Sequence, residues 1–537
     1  MKLRDLTNDQ RRLADKFFNG IPSAYPSSPS SKLSPTSAPP HHLLLRNSQS
    51  SNEHHFQNQR LNNKGSCAEI NQTNKFSKVI NRNYLYQYLA TLSGSLSVLS
   101  CGINLGWTSP YLPQILNGTY PDIVMTPTEG SWCAVMPLIA TPIGALIGAL
   151  LVDKMGRKLT TLLMAPYTFL MFIFLAFVNN VMIICLIRFV IGIVEGVLYT
   201  TLPMYLGEIS SPAIRGILNA SVGFGALLGT LLINILGFYY PIFTSSLICS
   251  LIPLIHLFTF MWMPESPYYL IKRNRNEEAR EVLKTLRGTQ DVDEEMVLLC
   301  QAVARQELVK KAKFTELFTV KSNLQAVFIF SILCMTRKFS GNNPFLFYTA
   351  KIFQTAEGSL DPRLSVIIFL SIQIVTAMIA LYLLDRLGRR PIIMISTAVC
   401  IVTLAITGTY FFFKEQIPSY VANLGWLPIT VLTLYIIFYN IGLELSPIVY
   451  VGELFPTNVK AIALGFAETF SAINSIITAK LFHFLTDSHG MYLPFWIFSA
   501  CCAVGLVFIV KFVPETKNKT LEEIQSDLMK KSKKLDL

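Results

Sequence analysis

After about residue 88 the chain alternates between long apolar runs and short polar connections. Six runs cover about 88–110, 130–152, 159–178, 181–206, 216–237 and 241–263. A charged stretch, 264–322, follows, and then six more runs at about 323–348, 363–384, 391–413, 425–450, 459–482 and 491–512. Each is close to the roughly 20 residues that a helix needs to cross a hydrocarbon core. A bilayer offers the backbone no water, so each run must satisfy its peptide groups within its own helix. The pattern predicts an all-α membrane protein with twelve spanning helices. Within 264–322, the sequence KRNRNEEAREVLKTLRG spaces Glu and Lys/Arg as short amphipathic helices in water do.

Before residue 83 the chain is polar, and the stretch IPSAYPSSPSSKLSPTSAPP is dominated by Pro and Ser. Such a segment buries too little apolar area to offset its ordering entropy. The expected organisation is therefore a disordered tail 1–82, a six-helix half 83–263, a helical insert 264–322, a second six-helix half 323–513 and a tail 514–537.

The two halves repeat one another. DKMGRK, Asp153 to Lys158, follows the second run, and DRLGRR, Asp385 to Arg390, follows the eighth. GEISSPAIR ends the fourth run and GELFPTNVK the tenth, so Glu208 precedes Arg215 by the spacing at which Glu453 precedes Lys460. PESP, from Pro264, ends the sixth run, and PETK, from Pro514, ends the twelfth. Three motif pairs in one order mark an internal repeat, an architecture of transporters. Asp153, Arg157, Glu208 and Arg215 stand at helix ends in one half. Asp385, Arg389, Arg390, Glu453 and Lys460 do so in the other. Opposite charges there can pair across a seam while it is closed and part when it opens.

Composition changes the picture little. Apolar residues make up 51% and charged residues 15%, against roughly a quarter charged in a soluble domain. The net charge of +12 does not indicate nucleic acid, because Lys and Arg sit between the apolar runs. There they orient the chain, and they put both termini and the insert on the cytosolic side. Eight of the ten cysteines lie within apolar runs, without metal-ligand spacing. No nucleophile–base motif or phosphate loop is present, which argues against an enzyme, and nothing calls for a cofactor or metal. Asn117-Gly118-Thr119 is a glycosylation acceptor triplet in the first outer connection. Other triplets, at Asn71, Asn219 and Asn518, fall in a tail, a membrane helix and the cytosol.

The ordered motifs — D-x-x-G-R-[RK] twice, PMYLGEISSPAIRG, PESPYYL, FSGNN before Phe347-Tyr348, GELFP and VPETK — resemble those of the sugar porter family of the major facilitator superfamily. The resemblance covers about residues 85–525. EGSWCAVMPL in the second run and TSPYLP ending the first are most similar to the facilitated trehalose transporter group within it. It implies the major facilitator fold, alternating access in the plasma membrane, a small solute such as a hexose or trehalose as partner, and an inner salt-bridge network at the motif charges.

The resemblance also implies a site. Proton-coupled members carry Asp near the GINLG of the first run, and here Asn104 stands, which favours passive facilitated diffusion. Amides suit sugar hydroxyls because each can donate and accept. Asn343 is kept, and the asparagine of the eighth helix falls on Gln373. The acid of the tenth falls on Asn440, and the helix-5 glutamine falls on Gly223. Two expected glutamines fall on Arg337 and Lys338, and the asparagine–tryptophan pair of the eleventh helix falls on Glu468 and Thr469. Glu444, four residues after Asn440, should share its helical face. Arg337 or Lys338 should therefore pair with Glu444 or Glu468 at the cavity. A rewritten site also admits a carrier of an acidic or other polar solute, ion-coupled or not, or a transporter-like sensor.

Overall fold

The computed structural model describes residues 84–308, 314–356, 360–421, 423–444, 446–455, 459–516 and 523. The expected N-terminal tail, nearly all of 517–537 and the triplets at Asn71 and Asn518 lie outside these residues. The regular structure described is helical throughout. The first half comprises α1 (Leu85–Leu116), α2 (Pro127–Met155), α3 (Arg157–Phe177), α4 (Val181–Ile209), α5 (Arg215–Tyr239) and α6 (Ile242–Phe260). The short helices α7 (Pro267–Lys272), α8 (Asn276–Arg287), α9 (Asp293–Leu308) and α10 (Glu316–Thr319) follow.

In the second half the seventh crossing is broken into α11 (Lys321–Lys338) and α12 (Asn342–Ala356). Then come α13 (Pro362–Leu387) and α14 (Arg389–Gln416). The tenth crossing is α15 (Leu427–Tyr439) and α16 (Ser446–Leu454), joined by a π turn at Asn440–Glu444, and α17 (Lys460–His489) and α18 (Tyr492–Phe512) complete the bundle. Among the described residues eleven helices are long and apolar enough to cross a membrane. With the broken seventh they make the twelve crossings that the hydropathy pattern predicts.

Local chemistry sets several boundaries. Thr126 and Glu129 form a capping box at the start of α2, the carboxylate accepting the Thr126 N–H at 2.8 Å. Asn180 caps α4 by accepting the Met182 N–H at 2.9 Å. Gly341 breaks the seventh crossing at φ 92°, a left-handed conformation that favours glycine. Within the first half, Gly144 and Gly148 of α2 face Gly192 and Gly196 of α4. A Cβ at Gly196 would lie 2.1 Å from the Thr141 carbonyl oxygen. Small residues at this spacing let membrane helices approach closely. Between the halves, α2 packs on α17, α5 on α13, and the end of α1 on α12.

Residues Leu283–Leu308 form a small separate unit. Within it Arg287 clamps Glu295, with Nη2–Oε1 at 2.7 Å.

Candidate functional site

The motif charges meet at one end of the bundle, and they do so twice. Arg157 Nη2 lies 2.8 Å from Glu208 Oε1, and Arg389 Nε lies 3.4 Å from Glu453 Oε1. Both pairs lie within a half, not across the seam between halves. The glutamates of PESP and PETK complete each set. Glu265 accepts the backbone N–H groups of Arg157 and Lys158 at 3.1 and 3.0 Å. Glu515 does the same for Arg389 and Arg390, at 3.1 and 3.0 Å. Each carboxylate thus caps the free N–H groups that open the following helix. The preceding residues, Gly156 and Gly388, have φ 94° and 91°. A Cβ at Gly156 would lie 2.4 Å from Glu265 Oε2, so only glycine admits the carboxylate there.

Tyr205 donates to the Pro264 carbonyl at 2.8 Å, and Tyr450 to the Pro514 carbonyl at 2.9 Å. Asp153 pairs with Lys272 of α7 at 2.8 Å. Arg215 reaches the Ser210 carbonyl at 3.4 Å, and Arg390 the Val510 carbonyl at 2.6 Å. The side chains of Asp385 and Lys460 lie outside the described residues.

The second site is the break in the seventh crossing. Arg337, in the last turn of α11, donates from Nε to Glu444 Oε2 at 3.0 Å and from Nη2 to Oε1. Tyr439 donates to the same carboxylate at 2.6 Å. A two-pronged arginine–carboxylate contact fixes orientation as well as charge. Asn440 faces elsewhere. Its Nδ2 donates to the Gln373 carbonyl at 3.1 Å and to Thr376 Oγ1 at 2.9 Å, both on α13. Asn440 and Glu444 therefore contact different helices, although four residues separate them. The π turn between them widens the coil and parts positions that a regular α-helix would align.

Gln373 is buried, 3% exposed, and among the described residues neither its Oε1 nor the buried Asn342 Oδ1 has a hydrogen-bond partner. Asn343 is half-buried beside it. Gly223 opens on empty space, a Cβ there meeting nothing within 4 Å. Lys338 and Glu468 act on one another electrostatically, but among the described residues neither forms an ion pair.

Asn104 belongs to a separate buried cluster in the first half. Its Nδ2 donates to Glu195 Oε1 at 2.7 Å. Arg188 donates to the carbonyls of Asn104 and Cys133, at 2.8 and 3.0 Å. Its guanidinium lies 5.2 Å over the Trp107 ring.

At the end remote from the motif charges the halves touch directly. Lys480 of α17 donates to Ser131 Oγ of α2 at 2.8 Å and lies 3.6 Å over the Trp132 ring. Beside this contact a cavity of about 230 Å³ is lined by residues of both halves, including Leu116, Tyr348 and Lys351. Asp487, at its rim, lies 3.5 Å from Lys351 and 3.4 Å from His483. Asn117 is exposed just past the end of α1.

Sequence reasoning did not single out Glu195, Arg188, Lys480 or the two capping glutamates. Glu265 and Glu515 had a signal, since each stands in a repeated motif. Glu195 and Lys480 had another, as ionisable residues inside apolar runs.

The family model for sugar (and other) transporters matches residues 61–528. The chain is 33% identical over 447 residues to the facilitated trehalose transporter Tret1-2 homolog of Drosophila simulans, covering 82% of this chain and 91% of that one. It is 32% identical to the facilitated trehalose transporter Tret1 of Drosophila willistoni, where it covers 82% of this chain but about half, 51%, of the relative. Among solved structures it is similar to the inward open conformation of the xylose transporter XylE from E. coli. That match has a TM-score of 0.67 and 21% identity, and it covers 82% of this chain and 99% of that one. With matching halves, a matching motif end and these relatives, the chain belongs to the sugar (and other) transporter family of major facilitator membrane carriers.

Proposed function

We propose that this chain carries a sugar, a hexose or a trehalose-like solute, across the plasma membrane by facilitated diffusion through alternating access. The observation that carries this reading is the polar break at the middle of the seventh crossing. Among the described residues Asn342 Oδ1 at the break and Gln373 Oε1 on α13 are buried without hydrogen-bond partners; Asn343 follows Asn342, and Asn440 donates to the Gln373 carbonyl. Irregular backbone at membrane depth is tolerated where it lines a cavity. Unpartnered amides suit a ligand made of hydroxyls. Arg337 and Glu444 neutralise one another beside them. The motif end is cytosolic in this reading, with both termini, because the basic connections lie there. Asn117, on the outer side, is the glycan acceptor.

The test is uptake of labelled hexose and trehalose into sealed vesicles, with and without a pH gradient. Uptake should saturate, follow the sugar gradient alone and move no net proton. No uptake of either sugar, or net proton entry accompanying sugar entry, would refute the proposal.

Lys338, without an ion pair among the described residues, favours a second reading in which the solute carries a carboxylate. Stronger inhibition of hexose uptake by a hexuronate than by an equal concentration of hexose would support it.

A further inference from the structure

Among the described residues Glu195 is the most deeply buried acid of the membrane helices, 1% exposed, near the middle of α4. Its one side-chain hydrogen bond comes from the Asn104 amide of α1. Among the described residues no cation lies within ion-pair distance of it. Arg188, two turns earlier on the same helix, donates from Nη1 and Nε to backbone carbonyls and sets its face over Trp107, while its Nη2 is buried without a hydrogen-bond partner among the described residues. A carboxylate without a counter-ion at this depth is costly, and the group relieves that cost by taking up a proton. Asn104 Nδ2 occupies Oε1 as donor, which leaves Oε2 free to carry it.

The surroundings also give the proton a direction. The ionisable groups that act on Glu195 are Arg188 and Tyr199 on its own helix and Cys101 on α1. The other helices packed on α4 bring none to it among the described residues. Toward the outer side the space is filled by Arg188 and Trp107, both buried. Toward the inner side, Tyr199 lies one turn on, half-buried. It is within electrostatic reach of both Glu195 and the exposed Glu468 of α17, in the other half. Tyr199 is thus the ionisable group that both carboxyls influence.

We propose that Glu195 is a proton-binding site of the carrier, filled while α1 closes over it and exchanging with the inner side by way of Tyr199 and Glu468. The orientation rests on the function proposed above, whereas the site itself does not depend on which solute is carried. The proton is taken from and returned to one side, so no proton is carried across. Protonation instead sets how readily the α1–α4 seam stays shut. Raising the inner pH strips the proton and leaves a buried charge that no ion pair answers among the described residues, only Arg188 at a distance, and the closed seam loses stability.

The experiment clamps inner and outer pH separately in vesicles and measures labelled hexose uptake. Wild-type uptake should fall at least about threefold as the inner pH rises from about 6 to about 9, with little response to outer pH. Glu195→Gln should flatten the inner-pH profile, and Tyr199→Phe should blunt it. Infrared spectra of purified wild-type protein should show a protonated-carboxyl band that weakens at high pH and is missing in Glu195→Gln. A wild-type inner-pH profile in Glu195→Gln would overturn the proposal, as would an equal response to outer pH or the absence of the band. If wild type carries no hexose, the proposed function fails, and the infrared band still decides whether Glu195 binds a proton.

Discussion

Arg337→Gln should reduce sugar uptake by about a hundredfold, and adding Glu444→Gln should restore a large part of it. An unpaired charge at membrane depth costs about 2.5–3.5 kcal/mol on insertion scales, which corresponds to roughly two powers of ten in an equilibrium. In the wild type Glu444 is answered by both prongs of Arg337 and by Tyr439. The single variant leaves that carboxylate with the Tyr439 hydroxyl and only the more distant charge of Lys338, whereas the double variant removes both charges together. Glu468→Gln is the control. Glu468 forms no ion pair among the described residues, so its effect should add to that of Arg337→Gln without recovery. Uptake per molecule of surface-labelled carrier separates lost transport from lost expression. Strict additivity between Arg337→Gln and Glu444→Gln would exclude the pair as a working unit.

Lys480→Met should shift the carrier toward its outward-open form. Lys480 joins the halves at the end remote from the motif charges, the outer end in the orientation proposed above, through Ser131 and the face of Trp132. A partly exposed cation–π contact contributes about 1 kcal/mol, enough to move a two-state equilibrium roughly fivefold. Leu116 lines the adjoining cavity. In a Leu116→Cys background, labelling by a membrane-impermeant thiol reagent should rise steeply when Lys480→Met or Trp132→Ala is added. Unchanged labelling would show that the outer ends are held shut by apolar packing alone.

The hydropathy pattern was enough to read the number of crossings, because a bilayer imposes one length on every run. It also showed the doubling, since DKMGRK and DRLGRR stand at matching places. The broken seventh crossing was not legible. TRKFSGNN interrupts its apolar run, but polar residues inside a run do not by themselves break a helix, and the break turns on the φ of one glycine, Gly341. The pairing of Arg337 with Glu444 was foreseen for the right reason, that mid-membrane charges need partners. Its stated geometry was wrong, because the π turn at Asn440–Glu444 sends Asn440 to α13 and Glu444 to α11. Glu468, expected as an alternative partner, faces the seam unpaired. The motif charges were expected to bridge the halves, yet Arg157–Glu208 and Arg389–Glu453 each close within one. Sequence spacing places charges at helix ends but does not say which neighbouring end they face. Glu195 escaped because one acid in an apolar run leaves the periodicity unchanged.

The capping glutamates bear on how such a carrier can diverge. Glu265 ties the start of α3 to the chain leaving α6, and Glu515 ties α14 to the chain leaving α18. Each clasp is local to its half and touches none of the side chains around the break in the seventh crossing. Substitutions that reshape the cavity therefore leave the moving bodies intact. Here the clasps are whole, while Arg337, Lys338 and Glu468 stand where the family resemblance leads one to expect neutral polar groups. Selection can change the cargo in such a chain without having to reinvent the motion.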